Sequence, residues 1–337
     1  MSERWISLHV FHRGDDDLLI THAVGPLVRT LEEERRLAGF FFLRYWEGGP
    51  HIRLRLLPAS SGAPVERRAR TALEAHLRAH PSAAPLDEER YALLAERYAR
   101  AELMEDTYDR RVRGHDCVEA VPYRPELDVF GGQEATRAAE EHFTDASRIA
   151  LATLGPRPAR GRLLGLGTAL LMLTLAAWEP DLNRAGLLLA ERRERWDTPR
   201  ERESLAAVLA GQCERLTAQA LRCWHPVTGE APQDDPLTAW SHSIGALRKR
   251  LAALQTAGLF RPKRTATSFH GARADDVLGV LMRCAHLMCN RLGITTAEEV
   301  QLRYLVGAVL TERANQSCPA PPGTVSRSAT TTRTRTD

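Results

Sequence analysis

The side chains with chemical potential gather at a few points of this 337-residue chain. In His51-Ile52-Arg53-Leu54-Arg55-Leu56-Leu57 polar and apolar residues alternate with the period of a strand. That period puts His51, Arg53 and Arg55 on one face and Ile52, Leu54 and Leu56 on the other. Alternate residues stand roughly 6.5–7 Å apart along a strand, so the three form a row of donors. Such a row suits a carboxylate, the carbonyls of an extended peptide, or charge developing in a transition state. A solvent-facing strand using arginine for solubility and edge protection has the same pattern. A second group lies in a helix expected over 273–291. There Leu281, Ala285, Met288 and Leu292 form an apolar stripe, while Arg283, His286 and Asn290 share the opposite side. A histidine flanked in this way suits acid/base work, and a solvated polar face is the alternative. Glu102, Glu105, Asp106 and Asp109, with Tyr108 among them, read as a solvated acidic run. The segment from Tyr123 to Gly132 brings Arg124 and Glu126 into a turn that precedes a helix.

Other chemistries are excluded or disfavoured. His9/His12 and His76/His80 have the spacing of metal-ligand pairs, but no third ligand converges on either. The six cysteines form no C-x-x-C pair, and the sequence has no nucleophile elbow, phosphate loop or dinucleotide fingerprint. No metal and no cofactor is expected. All but two of the 46 cationic side chains are arginine, and with only Lys249 and Lys263 available imine chemistry is a poor fit. A formal charge of +3 implies no general affinity for nucleic acid. The longest apolar stretch, Leu163 to Trp178, is short of the ~20 residues that span a bilayer and reads as a buried core helix. With no secretory pattern at the N-terminus, a cytoplasmic protein with reduced thiols and no membrane partner is expected.

These groups must be held by a mixed framework. Strands are expected at Trp5–Phe11, Phe40–Glu47 and His51–Leu57, with Gly48-Gly49-Pro50 turning between the last two, and further short strands near Cys117 to Tyr123. Asp15 to Asp17 offer N-caps for one helix running to about Ala38. Helical spacing recurs near 63–80, 86–104, 133–153, 160–178, 182–195, 199–222, 236–257, 273–291 and 297–314. Gly293 is expected to stop the penultimate helix, and a Thr296-x-x-Glu299 capping box to start the last. The class is α+β, a small mostly antiparallel sheet with a large helical portion. One catalytic domain is expected over 1–316, and a disordered Pro-, Ser-, Thr- and Arg-rich tail over 317–337.

The stretch Phe41-Phe42-Leu43-Arg44-Tyr45-Trp46-Glu47-Gly48-Gly49-Pro50-His51-Ile52-Arg53-Leu54-Arg55 resembles the signature of the C-terminal elimination domain of lantibiotic dehydratases, shared by related stand-alone thiopeptide biosynthesis proteins. Tyr123–Gly132 resembles that family's Tyr…Glu…Arg-Tyr-Gly-Gly segment. His286-Leu287-Met288-Cys289-Asn290-Arg291-Leu292-Gly293 resembles its His-x-x-x-Asn-Arg-Leu-Gly block, and Arg4-Trp5-Ile6 its opening strand. The resemblance runs from about residue 3 to 314. It implies action on a ribosomally made precursor peptide, leader plus dehydrated core. One branch eliminates glutamate from glutamylated Ser or Thr. The other, the pyridine synthases, joins two dehydroalanines in a formal aza-[4+2] cycloaddition and then expels water and leader. By position, Arg53, Arg55 and His286 match the eliminating branch's arginine pair and histidine. Where that branch reads Arg-Tyr-Gly-Gly, this chain has Val129-Phe130-Gly131-Gly132, and the loss of the arginine favours ring formation. Arg53 and Arg55 are then expected to position substrate, His286 to shuttle protons, and Glu105, Tyr123 or Glu126 to assist. His51, Arg44, Arg283 and Asn290 are expected to bind substrate. A non-catalytic precursor-binding scaffold, and a dimer, remain open.

Overall fold

The computed structural model describes residues 5–82, 87–101, 108–109, 111–155, 157–193, 199–225, 235–263 and 275–317. Glu105 and residues 318–337 lie outside them. Strands β1 (Ile6–Phe11), β2 (Leu37–Tyr45), β3 (His51–Pro58) and β4 (Cys117–Ala120) make one antiparallel sheet of order β2-β3-β1-β4. Helices dominate the rest: α1 (Asp16–Leu19), α2 (Gly25–Glu33), α3 (Gly62–Ala79), α4 (Glu88–Ala101), α5 (Leu127–Phe130), α6 (Gln133–Leu154), α7 (Arg160–Trp178), α8 (Leu182–Arg193), α9 (Pro199–Trp224), α10 (Pro236–Thr256), α11 (Asp276–Arg291) and α12 (Thr296–Ser317). The expected α+β class holds.

One face of the sheet is apolar. Leu8, Val10, Phe40, Phe42, Ile52, Leu54 and Leu56 are fully buried there, and α3 brings up Val65, Ala69, Leu73 and Leu77 at helical spacing. The β2–β3 turn uses Gly48 (φ 77°) and Gly49 (φ 118°), a left-handed conformation costly for other residues. Tyr91 of α4 fastens that turn, accepting from the Gly49 N–H and donating to the Trp46 carbonyl.

Strand β2 is an outer strand, and its free edge is occupied by side chains. The Phe42 N–H donates to Ser147 Oγ of α6 at 3.2 Å. Two residues on, Arg44 N–H donates to Asn290 Oδ1 of α11 at 3.0 Å, and Asn290 Nδ2 returns a bond to the Arg44 carbonyl at 2.9 Å. An edge that would otherwise template further pairing is thereby closed.

Two expectations need correction. The single helix to Ala38 is α1, then a π-helical stretch Ile20–Val24, then α2, which ends at Glu33. Pro26 has no N–H to give to a carbonyl four residues back, and the Gly25 N–H instead reaches the Ile20 carbonyl, the wider π spacing. Arg35, at φ 55°, turns the chain so that β2 begins at Leu37. The capping box also sits one residue earlier: Thr295 Oγ1 accepts from the Glu298 N–H, and Glu298 accepts from the Thr295 N–H. Glu299 is therefore free for another task. Gly293, at φ 68°, does follow α11 as expected.

Among the described residues one helix, α7, is long and apolar enough to cross a membrane, yet 56% of its apolar window is buried inside the protein. It packs against α10, α11, α9 and α12.

Candidate active site

The second face of the sheet is polar and mostly covered. Antiparallel pairing sets Ser7, His9 and Phe11 opposite Arg55, Arg53 and His51, with Phe41, Leu43 and Tyr45 flanking on β2. Arg55 is 7% exposed, His9 9% and His51 1%, so the strand's cationic row is not a solubility face.

Arginine can only donate, so the 3.2 Å contact from Arg55 Nη2 makes His9 Nε2 an acceptor and the ring neutral. His51 stacks on His9 with centroids 4.7 Å apart. Its Nδ1 donates to the Gly49 carbonyl at 2.9 Å, which leaves Nε2 as a buried acceptor without a partner. Burial, followed by His51 and then the arginines Arg55 and Arg53, pushes His9 down to about 2; burial pushes His51 down to about 4. Arg55 itself is pushed down to about 10, by burial and then by Arg53. Its guanidinium lies 5.5 Å from the Tyr123 ring. Arg53 is more accessible: it stacks 3.2 Å from the Tyr45 ring centroid and its Nη2 is 3.2 Å from Glu47 Oε2.

Tyr123 donates to Glu140 Oε1 of α6 at 2.6 Å, and Trp5 donates to Glu140 Oε2 at 3.1 Å. Burial and that carboxylate raise the phenol well above its ordinary range, so Tyr123 holds its proton. Beyond it Arg283 Nη2 of α11 meets Glu126 Oε2 at 3.0 Å, with the guanidinium 5.7 Å from the Phe130 ring.

His286, one turn after Arg283, is held from α12: its Nδ1 is 2.6 Å from Glu299 Oε2, and Arg303 bonds the other carboxylate oxygen. His286 keeps 34% of its side chain exposed while Glu299 keeps 7%. Despite its burial, Glu299 is pulled below its usual range by His286 and Arg303 and is ionised. A small, largely apolar cavity lies beside this pair, between α7, α11 and α12, lined by Gly167, Leu170, Met288, Cys289 and Leu302 with Glu299 and Arg303.

The expected site residues thus fall into four groups. His51, Arg53, Arg55 and Tyr123 share the sheet face, and Arg283 with Glu126 sits alongside Phe130. His286 belongs to an α11–α12 pair. Arg44 and Asn290 meet each other, and Arg44 further bonds the Arg291 carbonyl at 3.2 Å and the carboxylate of Asp17. Sequence reasoning missed His9, Glu47, Glu140 and Glu299 as partners. For His9 the signal was present, since an antiparallel partner of β3 must set alternate residues against Arg53 and Arg55. Glu140, 135 residues from Trp5, has no local signal.

Among the described residues no group of three His, Cys, Asp or Glu side chains could hold a metal. His12 bonds Asp116 at 2.8 Å, and His76 stacks on His80. The described cysteines, Cys117, Cys213, Cys223, Cys284 and Cys289, are free thiols.

No curated protein sequence matches the chain. Among solved structures the fold is similar to that of the pyridine synthase TbtD from thiomuracin biosynthesis, with a TM-score of 0.73 at 22% identity, over 94% of this chain and 100% of that one. It is also similar to TsrL, with a TM-score of 0.62 at 19% identity, over 92% of this chain and 95% of that one. The tRNA-dependent lantibiotic dehydratase MibB from Microbispora sp. 107891 gives a TM-score of 0.56 at 20% identity; the match covers 94% of this chain but 29% of that one. The family model for the lantibiotic biosynthesis dehydratase C-terminal region matches residues 5–310, nearly the whole described chain, and the protein belongs to that family.

Proposed function

We propose that this protein is a biosynthetic enzyme acting on a ribosomally made precursor peptide, and that it closes a pyridine ring from two dehydroalanine residues. The amide of one dehydroalanine shifts to its imidic tautomer, giving the four-atom diene CH2=C–N=C(OH). The second dehydroalanine, which carries the leader amide on its α-carbon, is the dienophile. One new bond joins the two methylene carbons, and another joins the imidic carbon to the α-carbon bearing the leader. Loss of water and then of the leader as its carboxamide, each taking one ring proton, aromatises the ring without any oxidant or reductant.

The chemistry asks mainly for positioning and proton transfer. Holding two distant parts of one peptide in register removes up to about 7–11 kcal/mol of barrier, and acid/base assistance adds roughly 10²–10⁴-fold. Arg53, the more accessible of the arginine pair, serves as the donor to the amide oxygen. Arg55 contributes fixed positive charge behind it. His286 exchanges protons through the ring nitrogen that Glu299 does not engage. Tyr123 gives its one proton to Glu140, so it serves neither as a base nor as a donor to substrate, and its ring beside the Arg55 guanidinium helps to position that charge.

One observation carries the choice of ring formation. Val129 is half-buried against the core and Phe130 is buried in it, at the positions where the eliminating branch resembled by this sequence has Arg-Tyr. The arginine that would help hold a glutamyl carboxylate is missing at that position, and the nearby Arg283 is already bonded to Glu126. The fold likeness to TbtD supports the same reading. A second reading, glutamate elimination, is favoured by His286, paired here with a buried carboxylate. Mass spectrometry on a dehydroalanine-bearing peptide and a glutamyl-serine-bearing peptide separates the two, and a binding scaffold leaves both masses unchanged.

A further inference from the structure

The last helix begins with two adjacent glutamates, and the fold gives them different work. Glu298 closes the cap with Thr295 and bonds Arg160. Glu299 points inward to His286 and Arg303. A buried carboxylate with no role in the helix cap is a costly feature unless it is paired.

We infer that Glu299, backed by Arg303, is a positioning residue for His286: it fixes the imidazole in the Nδ1–H tautomer and leaves Nε2 as the nitrogen that exchanges protons with substrate. This rests on the reading of His286 as the proton shuttle. An ionised carboxylate can only accept, so the 2.6 Å contact requires the proton on Nδ1. Arg303, four residues on along α12, occupies the second oxygen and keeps the carboxylate from rotating away. Leu170, Met288 and Leu302 line a small, largely apolar cavity against Glu299 and Arg303, a surrounding of low polarity in which the bond is stronger than in water. Cys289, on α11, is a further titratable group beside the pair. Burial, and then Glu299, pushes the Cys289 thiol up to about 12, so it stays neutral and does not compete for the proton. Both elements are helices, which hold the ring more tightly than a loop would.

The test uses the full chain with ¹⁵N-labelled histidine. Wild-type His286 is expected to show one tautomer, with the proton on Nδ1. In Glu299→Gln the amide can present either its oxygen or its NH2 group, so a mixture is expected at unchanged fold. Turnover of the dehydroalanine peptide should drop by roughly 10- to 100-fold in kcat with KM little altered, part of it recovered in Glu299→Asp. In a His286→Ala background Glu299→Gln should add less than about twofold, because its effect passes through the imidazole. If Glu299→Gln does not fold, Arg303→Met keeps the carboxylate and should give a smaller loss that also vanishes in His286→Ala. An Nε2–H tautomer in the wild type, or equal losses with and without His286, overturns the inference. Full activity of His286→Ala on both peptides would instead overturn the proton-shuttle reading, and the tautomer would still decide whether Glu299 sets the ring.

Discussion

Asn290 bonds both backbone groups of Arg44, accepting from its N–H at 3.0 Å and donating to its carbonyl at 2.9 Å, so that one side chain of α11 acts as a neighbouring strand for the sheet edge. The relationship fixes the helix that carries Arg283 and His286 against the hairpin that carries Arg53 and Arg55. Asn290→Ala should leave two half-buried backbone groups without partners and cost about 1–3 kcal/mol. Urea unfolding measures this. A loss of turnover in Asn290→Ala with no loss of stability would mean that the residue acts on substrate and not on the fold.

Arg53 is the donor best placed to reach a ligand, stacked on Tyr45 and paired with Glu47. A lysine there keeps the charge but not the planar fork. Arg53→Lys should lower turnover by on the order of tenfold or more while stability changes by less than about 1 kcal/mol, since the ion pair is partly exposed. Steady-state rates beside a thermal melt check both halves.

Among the described residues three histidines are held neutral by burial: His9 pushed down to about 2, His142 to about 3 and His51 to about 4. Unfolded, each returns to about 6.5 and binds a proton that the fold refuses. Stability is therefore full above pH ~6.5 and falls as the pH drops from there toward 4, by up to about 1.4 kcal/mol per pH unit for each histidine. The fall continues below pH 4 for His9 and His142. Urea midpoints at pH 7.5, 6 and 5 should decrease in that order, and a flat series would contradict the burial of these rings.

The thiols should separate by reactivity. Burial pushes Cys284 and Cys289 up to about 12 and Cys223 to about 11, so little thiolate forms at pH 8. Brief alkylation of the native protein should spare these three relative to Cys213, and peptide mapping reads the order. Rapid modification of Cys284 would show that α11 opens.

Much of the scaffold was legible in local pattern. Helix α7 spans the 160–178 expected from its helical spacing and ends where its apolar run does, and β3 follows its period-2 alternation, because both elements are built from contacts near in sequence. The π-helical stretch was hidden because Gly25-Pro26 widens the helix without ending it. The capping box was misplaced because Thr295 and Thr296, and likewise Glu298 and Glu299, are adjacent and equivalent in pattern. Only the packing of α12 against α11 decides which glutamate turns inward. The arginine row was visible, but its burial was not. Tyr123, whose ring stands 5.5 Å from the Arg55 guanidinium, and the Glu140 and Trp5 side chains bonded together behind it come from three separate parts of the chain.

The most direct measurement is the mass of each product after incubating purified protein with a leader-bearing peptide that contains two dehydroalanines, and separately with a glutamyl-serine peptide. Ring formation predicts, from the first, a macrocycle lacking water and leader together with a released leader ending in a carboxamide, and no change in the second. Loss of glutamate from the second peptide with the first untouched would contradict the account and make the protein an eliminase.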